Sequence, residues 1–167
     1  MSDRSLCSES LNHLLIMRHG QAEVYADIDQ QRSLTDKGLQ EVRETGGQVL
    51  ECLQSLNPQH LVILVSTAKR TQQTWNELKF QIDLLNIPHV NIQIQSDLYL
   101  ATYDHLYHVI LEYLPYTEHQ KTILLIGHNP GLSNLVNQLS GSWLSLQTAQ
   151  WVHLTSQKDL ARWTLLT

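Results

Sequence analysis

Three runs of apolar residues stand out along the chain: Leu14 to Met17, Leu61 to Val65 and Ile123 to Ile126. None alternates with polar positions. A strand of this kind is buried on both faces, as in a parallel sheet covered by helices. The pattern therefore predicts a first strand in HLLIMRH (13–19), a second in LVILVS (61–66) and a third in TILLIG (122–127). VNIQIQ (90–95) does alternate, as an edge strand does.

Between these runs the period changes to that of a helix. Thr35 is placed to cap a helix with Asp36 in its first turn. Leu39, Val42, Val49, Leu50 and Leu53 carry one apolar face to about Leu56, across the weakening pair Gly46-Gly47, and Asn57-Pro58 ends it. Further helices are predicted from Lys69 to about Leu78 and from Tyr103 to Leu114, before Pro115. Another opens at Pro130-Gly131, with Leu132, Leu135, Val136 and Leu139 on one face. Two short strands, near Trp151 to Thr155 and Ala161 to Leu166, close the sheet. Strands that alternate with helices give an α/β fold, a three-layer α/β/α sandwich with a mostly parallel central sheet. Residues 1–12 read as a loose polar arm and 13–167 as a single domain.

Composition narrows the function classes. The chain has 167 residues, 42% of them hydrophobic, and a net charge of -5. That balance argues against nucleic acid as a partner, while leaving room for a local cationic pocket. Cys7 and Cys52 form no CxxC spacing, which fits reduced thiols. Residues 1–12 have no apolar core of a signal peptide, and no apolar run reaches the roughly 20 residues of a membrane span. A cytoplasmic protein without membrane partners is expected.

The polar residues fall at informative places. The first strand ends in Arg18-His19-Gly20, the second in Ser66 with Arg70 soon after, and the third in Gly127-His128. The carboxyl edge of an open α/β sheet is where ligands bind. Arg18, His19, Arg70 and His128 then converge if these strands are parallel neighbours. Such a cluster needs an anion, and guanidinium groups match phosphate oxygens. Helix N-termini near Lys69 and Gly131 add N–H donors, and Gly20 and Gly127 are expected to let backbone approach the anion. Cationic neighbours keep a histidine neutral, which leaves a ring nitrogen free to attack phosphorus. His105 and His108 share a helix face at metal-like spacing but lack a third ligand, so they read as a surface pair; no cofactor is expected.

With these motifs in hand, the sequence resembles the histidine phosphatase, or phosphoglycerate mutase-like, superfamily. Arg18-His19-Gly20 matches its signature, VSTAKRTQQT (65–74) its second-arginine motif and IGHNPGLSNL (126–135) its second-histidine motif. Arg32-Ser33-Leu34-Thr35-Asp36-Lys37-Gly38 and Leu98-Tyr99 look like the small SixA-type phosphohistidine phosphatase branch. The resemblance implies a phosphoglycerate mutase-like fold with one antiparallel strand, and a metal-independent phosphohydrolase. It implies His19 as the nucleophile, Arg18, Arg70 and His128 as catalytic and phosphate-binding residues, and Arg32 lining the same groove.

In the superfamily that the sequence resembles, mutases and many phosphatases place a carboxylate as general acid before the third predicted helix. Here SDLYLATYDHL (96–106) offers Asp97 and Asp104 in no recognisable acid motif. An alkoxide leaving group usually needs a proton donor, whereas imidazole leaves more readily. This favours phosphohistidine on a protein, such as a histidine phosphotransfer domain. A small-molecule phosphomonoesterase or mutase, and a non-catalytic phosphoprotein-binding module, remain as alternatives.

Overall fold

The computed structural model describes residues 11–114, 120–156 and 162–167. Its strands are β1 (Asn12–Arg18), β2 (His60–Ser66), β3 (His89–Gln95), β4 (Thr122–Gly127), β5 (Trp151–Ser156) and β6 (Trp163–Leu165). Its α-helices are α1 (Asp36–Leu56), α2 (Lys69–Leu84), α3 (Tyr103–Tyr113) and α4 (Gly131–Ser140). The strands form one six-stranded sheet in the order β3-β2-β4-β1-β5-β6. Strands β1 to β4 run parallel, and β5 runs antiparallel to both β1 and β6. The mostly parallel α/β/α sandwich expected from the pattern is the fold.

Successive residues of each central strand serve opposite faces. Leu14, Ile16, Leu64, Ile123 and Leu125 pack with Leu106 and Ile110 of α3 and Leu132 and Leu135 of α4. Leu15, Met17, Ile63, Val65, Leu124 and Ile126 pack with Val42 and Leu53 of α1 and Trp75 and Leu78 of α2. This two-sided burial is why those runs do not alternate. At the edge, β3 keeps its alternation, with Val90, Ile92 and Ile94 still 41%, 39% and 49% exposed.

The helix ends follow local chemistry. Thr35 accepts a hydrogen bond from the Gly38 N–H at 3.0 Å, as an N-cap does. Asn57 ends α1 in the left-handed conformation, with φ of 43°. Helix α2 runs six residues beyond the expected end at Leu78, because Ile82 returns to the core one turn later and carries the helix with it. The two closing strands are Trp151–Ser156 and Trp163–Leu165; Ala161, expected in the second, lies outside the described residues. The expected polar arm falls mainly on residues 1–10, also outside them, and Asn12 already belongs to β1. Among the described residues, no helix is long and apolar enough to cross a membrane.

Two glycines explain how the first motif is held. A Cβ at Gly38 would lie 2.0 Å from the Gln21 carbonyl oxygen, and one at Gly20 would lie 2.5 Å from that of Gly38. The start of α1 is thus pressed against the chain just after β1, and a methyl group at either position has nowhere to go. Gly127 meets the Leu132 side chain, 3.3 Å from its absent Cβ. Chain packing by itself thus requires a glycine at position 20, while Gly127 faces a leucine.

Two helical glycines give a paired test. A Cβ at Gly131 would stand 2.0 Å from the Ala101 carbonyl, whereas at Gly47 it would meet nothing within 4 Å. Gly131→Ala should destabilise the protein by about 1–3 kcal/mol through overpacking. Gly47→Ala should stabilise it by about 0.5–1 kcal/mol through helix propensity. Urea unfolding midpoints of the two variants will move in opposite directions.

Candidate active site

The sheet order brings the motifs together. In the sequence β2-β4-β1 the strands are adjacent and parallel, so their carboxyl ends share one edge. Arg18 lies opposite Gly127 in the register, and the His19 N–H donates to the Gly127 carbonyl at 3.2 Å. Positions 18 and 128, far apart in sequence, become neighbours through this pairing.

His19 is 6% exposed. Its Nδ1 lies 2.7 Å from the Gly20 carbonyl, an acceptor, so Nδ1 carries the proton. The other ring nitrogen, Nε2, accepts a 3.3 Å hydrogen bond from Arg70 Nε. Its lone pair therefore points at the guanidinium. Burial, then the charges of Arg70, Arg18 and Arg32, bring the His19 pKa down to about 4, against the opposing effect of its bond to Gly20. The ring is neutral at physiological pH.

His128 stands beside it. The two ring centroids are 5.2 Å apart in an edge-on arrangement. His128 Nε2 is 2.8 Å from the Ser66 hydroxyl at the end of β2, and the ring edge meets Tyr99 with centroids 5.5 Å apart. Burial, followed by His19 and Arg70, lowers its pKa to about 3. Its buried Nδ1 has no hydrogen-bond partner among the described residues. The same holds for Nε of Arg18, whose Nη1 donates to the Leu146 carbonyl at 2.9 Å. Asn129 donates to that same carbonyl at 2.7 Å, so one backbone oxygen orients groups from two motifs.

Arg70 is 1% exposed, an uncommon place for a permanent charge. Its terminal nitrogens bond Asp29: Nη2 to Oδ2 at 3.0 Å and Nη1 to the backbone oxygen at 2.8 Å. Arg32 Nε pairs with the other oxygen of Asp29 at 3.1 Å. Tyr99 donates a short hydrogen bond to Asp29 Oδ2. The hydrogen bond from Tyr99, then Arg70 and Arg32, hold the Asp29 pKa below its ordinary value.

All five sequence candidates are thus accounted for. Arg18, His19, Arg70 and His128 share the carboxyl edge of the sheet. Arg32 joins them through Asp29 rather than by touching either histidine. Asp97 forms its hydrogen bond with Ser96, and Asp104 occupies the first turn of α3; neither bonds the cluster. Glu23 pairs with Ser33 within its own loop. His105 and His108 are exposed, and no metal-binding cluster of three or more residues occurs among the described residues. Sequence reasoning missed Asp29. It sits in an Asp- and Gln-rich loop, and its only local signal is Arg32 three positions later.

The chain is 29% identical over 134 residues to a phosphohistidine phosphatase SixA homologue of Haemophilus influenzae, covering 77% of each protein. The protein histidine phosphatase SixA solved with tungstate is 25% identical, with a TM-score of 0.73 over 93% of this chain and 94% of that one. Its relatives are phosphatases of the histidine phosphatase superfamily. A mycobacterial glucosyl-3-phosphoglycerate phosphatase solved with VO3 shares the fold at 15% identity, with a TM-score of 0.60 over 93% of this chain and 98% of that one. No family model matches the chain.

The depressed histidines tie stability to pH. His19 and His153 are lowered to about 4 and His128 to about 3, from an ordinary 6.5. Burial is the first cause in each; His153 is also affected by His13, whose Nδ1 is 2.9 Å from its Nε2. Between pH 6.5 and 4 the unfolded chain binds these protons and the folded chain does not, so stability rises with pH in that window. Thermal midpoints should fall steadily as the pH is lowered from 7 to 5, and His13→Asn with His153→Asn should flatten the slope.

Proposed function

We propose that this protein is a phosphohydrolase that works through a phosphohistidine on His19, and that its substrate is phosphohistidine carried by another protein. The observation that carries the reading is a neutral, buried His19 whose Nε2 lone pair faces Arg70, within a group of cationic side chains. Pure anion binding needs the arginines but no nucleophile, which weighs against a non-catalytic binding module.

In this mechanism Nε2 of His19 attacks phosphorus while the bond from phosphorus to the substrate nitrogen breaks. The departing imidazole keeps the electron pair. Arg18, Arg70 and His128 bind the phosphoryl oxygens and stabilise charge during transfer. Nδ1–H stays on the Gly20 carbonyl, which holds the ring orientation and favours the phosphorylated form. Water then attacks the phosphoryl group and frees His19, so the sum is phosphohistidine plus water to histidine plus phosphate.

The carboxylate at the site supports a nitrogen leaving group. Asp29 is kept ionised by Tyr99 and Arg70, so at neutral pH it has no proton to give. An expelled alkoxide needs such a donor; a protonated imidazole does not. The SixA names of the relatives point the same way. A second reading, hydrolysis of a small phosphate ester, draws support from the fold shared with the mycobacterial glucosyl-3-phosphoglycerate phosphatase.

Incubation with a phosphorylated histidine phosphotransfer domain should release phosphate, and His19→Ala should abolish release. Arg70→Ala should lower turnover by on the order of 10²–10³. A panel of phosphoramidates and phosphomonoesters should show higher kcat/KM for the phosphoramidates. Faster turnover of sugar phosphates would transfer the assignment to the second reading, and equal activity of His19→Ala would remove His19 from the chemistry.

A further inference from the structure

We propose that Asp29 is a built-in competitor for the phosphoryl group: its carboxylate is seated on the cations of the pocket, and a substrate must displace it to bind. The inference rests on the reading above that Arg70 helps to hold the phosphoryl group. It adds a residue that sets which phosphorylated molecules the site accepts.

The geometry is that of a ligand. Both terminal nitrogens of Arg70 are engaged by Asp29, at 2.8 Å and 3.0 Å, and only Nε is turned to His19. Arg32 pairs with the second carboxylate oxygen at 3.1 Å. The Tyr99 hydroxyl closes on Oδ2, while the Tyr99 ring lies under the Arg70 guanidinium, 5.9 Å from its centroid, and against His128. A carboxylate that accepts hydrogen bonds from a guanidinium and a phenol, with a second guanidinium in ion-pair contact, imitates the contacts a phosphoryl group would make. Two anions side by side on one guanidinium repel, so phosphate and Asp29 exclude one another.

Displacement costs little packing. Asp29 opens the 3₁₀ turn Asp29–Gln31, which buries none of its residues. On the same loop, Val24, Tyr25 and Ile28 are 94%, 79% and 61% exposed. A phosphate that offers only its oxygens must pay the whole cost of moving the carboxylate. A phosphoprotein can recover that cost through contacts with the exposed loop. Asp29 thereby discriminates against inorganic phosphate and small esters.

The test is calorimetric titration of inorganic phosphate into the full-length protein and its variants. Asp29→Asn should bind phosphate about tenfold more tightly or better, because the like charge is removed. Asp27→Asn, the same charge change on the same loop at an exposed residue, should leave the affinity unchanged. Tyr99→Phe keeps the ring and loosens the carboxylate, and should give a smaller gain in the same direction. Unchanged or weaker binding by Asp29→Asn overturns the proposal and makes Asp29 a support for Arg70. An equal gain in Asp27→Asn also overturns it, as a general charge effect. Phosphate binding to none of the proteins would instead remove the phosphoryl site itself, and the competitor with it.

Discussion

The structure depends on a buried arginine beside a histidine that stays neutral. Taking a permanent charge out of water costs several kcal/mol unless partners replace the solvent. Arg70 is almost wholly buried, and it meets that cost with Asp29 on its terminal nitrogens and His19 Nε2 on its inner one. The same contacts settle the state of His19. A charged donor at Nε2 forbids a proton there, and the Gly20 carbonyl fixes the proton at Nδ1. An unprotonated Nε2 is therefore a consequence of how the charge is buried.

The scaffold makes this affordable by rigid means. Parallel pairing of β1 with β4, and of β4 with β2, fixes the heights of His19, His128 and Ser66 along one edge. Close packing of Gly20 against Gly38 locks the chain that carries His19, and the Gly20 N–H donates to the Thr74 hydroxyl at 3.2 Å. Thr74 belongs to α2, the helix that also supplies Arg70. His19 and Arg70 are therefore positioned by one interlocked unit. The Asp29 loop, by contrast, is held at the site by charge rather than by buried apolar surface, which is where ligand-driven rearrangement is least costly.

Much of the fold was legible because burial on both faces leaves a mark in one dimension. LLIM, LVILV and ILLI read as central strands, and the periodic faces of α1 and α4 as the surfaces that cover them. Less was legible where the mark is weak. Beyond Leu78, α2 contributes one buried apolar side chain, Ile82, among exposed positions, too little to show a period. The packing role of Gly20 was hidden for a related reason. A glycine reveals that space is short, and only the neighbouring Gly38 carbonyl reveals what takes it.

At the site, the sequence by itself determined which chemistry-bearing residues stand at strand ends, since polar residues that follow a buried strand can only emerge at its edge. It therefore determined that Arg18, His19, Arg70 and His128 would meet if the strands were parallel neighbours. Only the tertiary structure decided the tautomer of His19, the pairing of His128 with Ser66, and the arrival of Asp29 on Arg70. The reason is physical: hydrogen-bond direction and the exclusion of water depend on groups 40 to 70 positions apart that no local pattern connects.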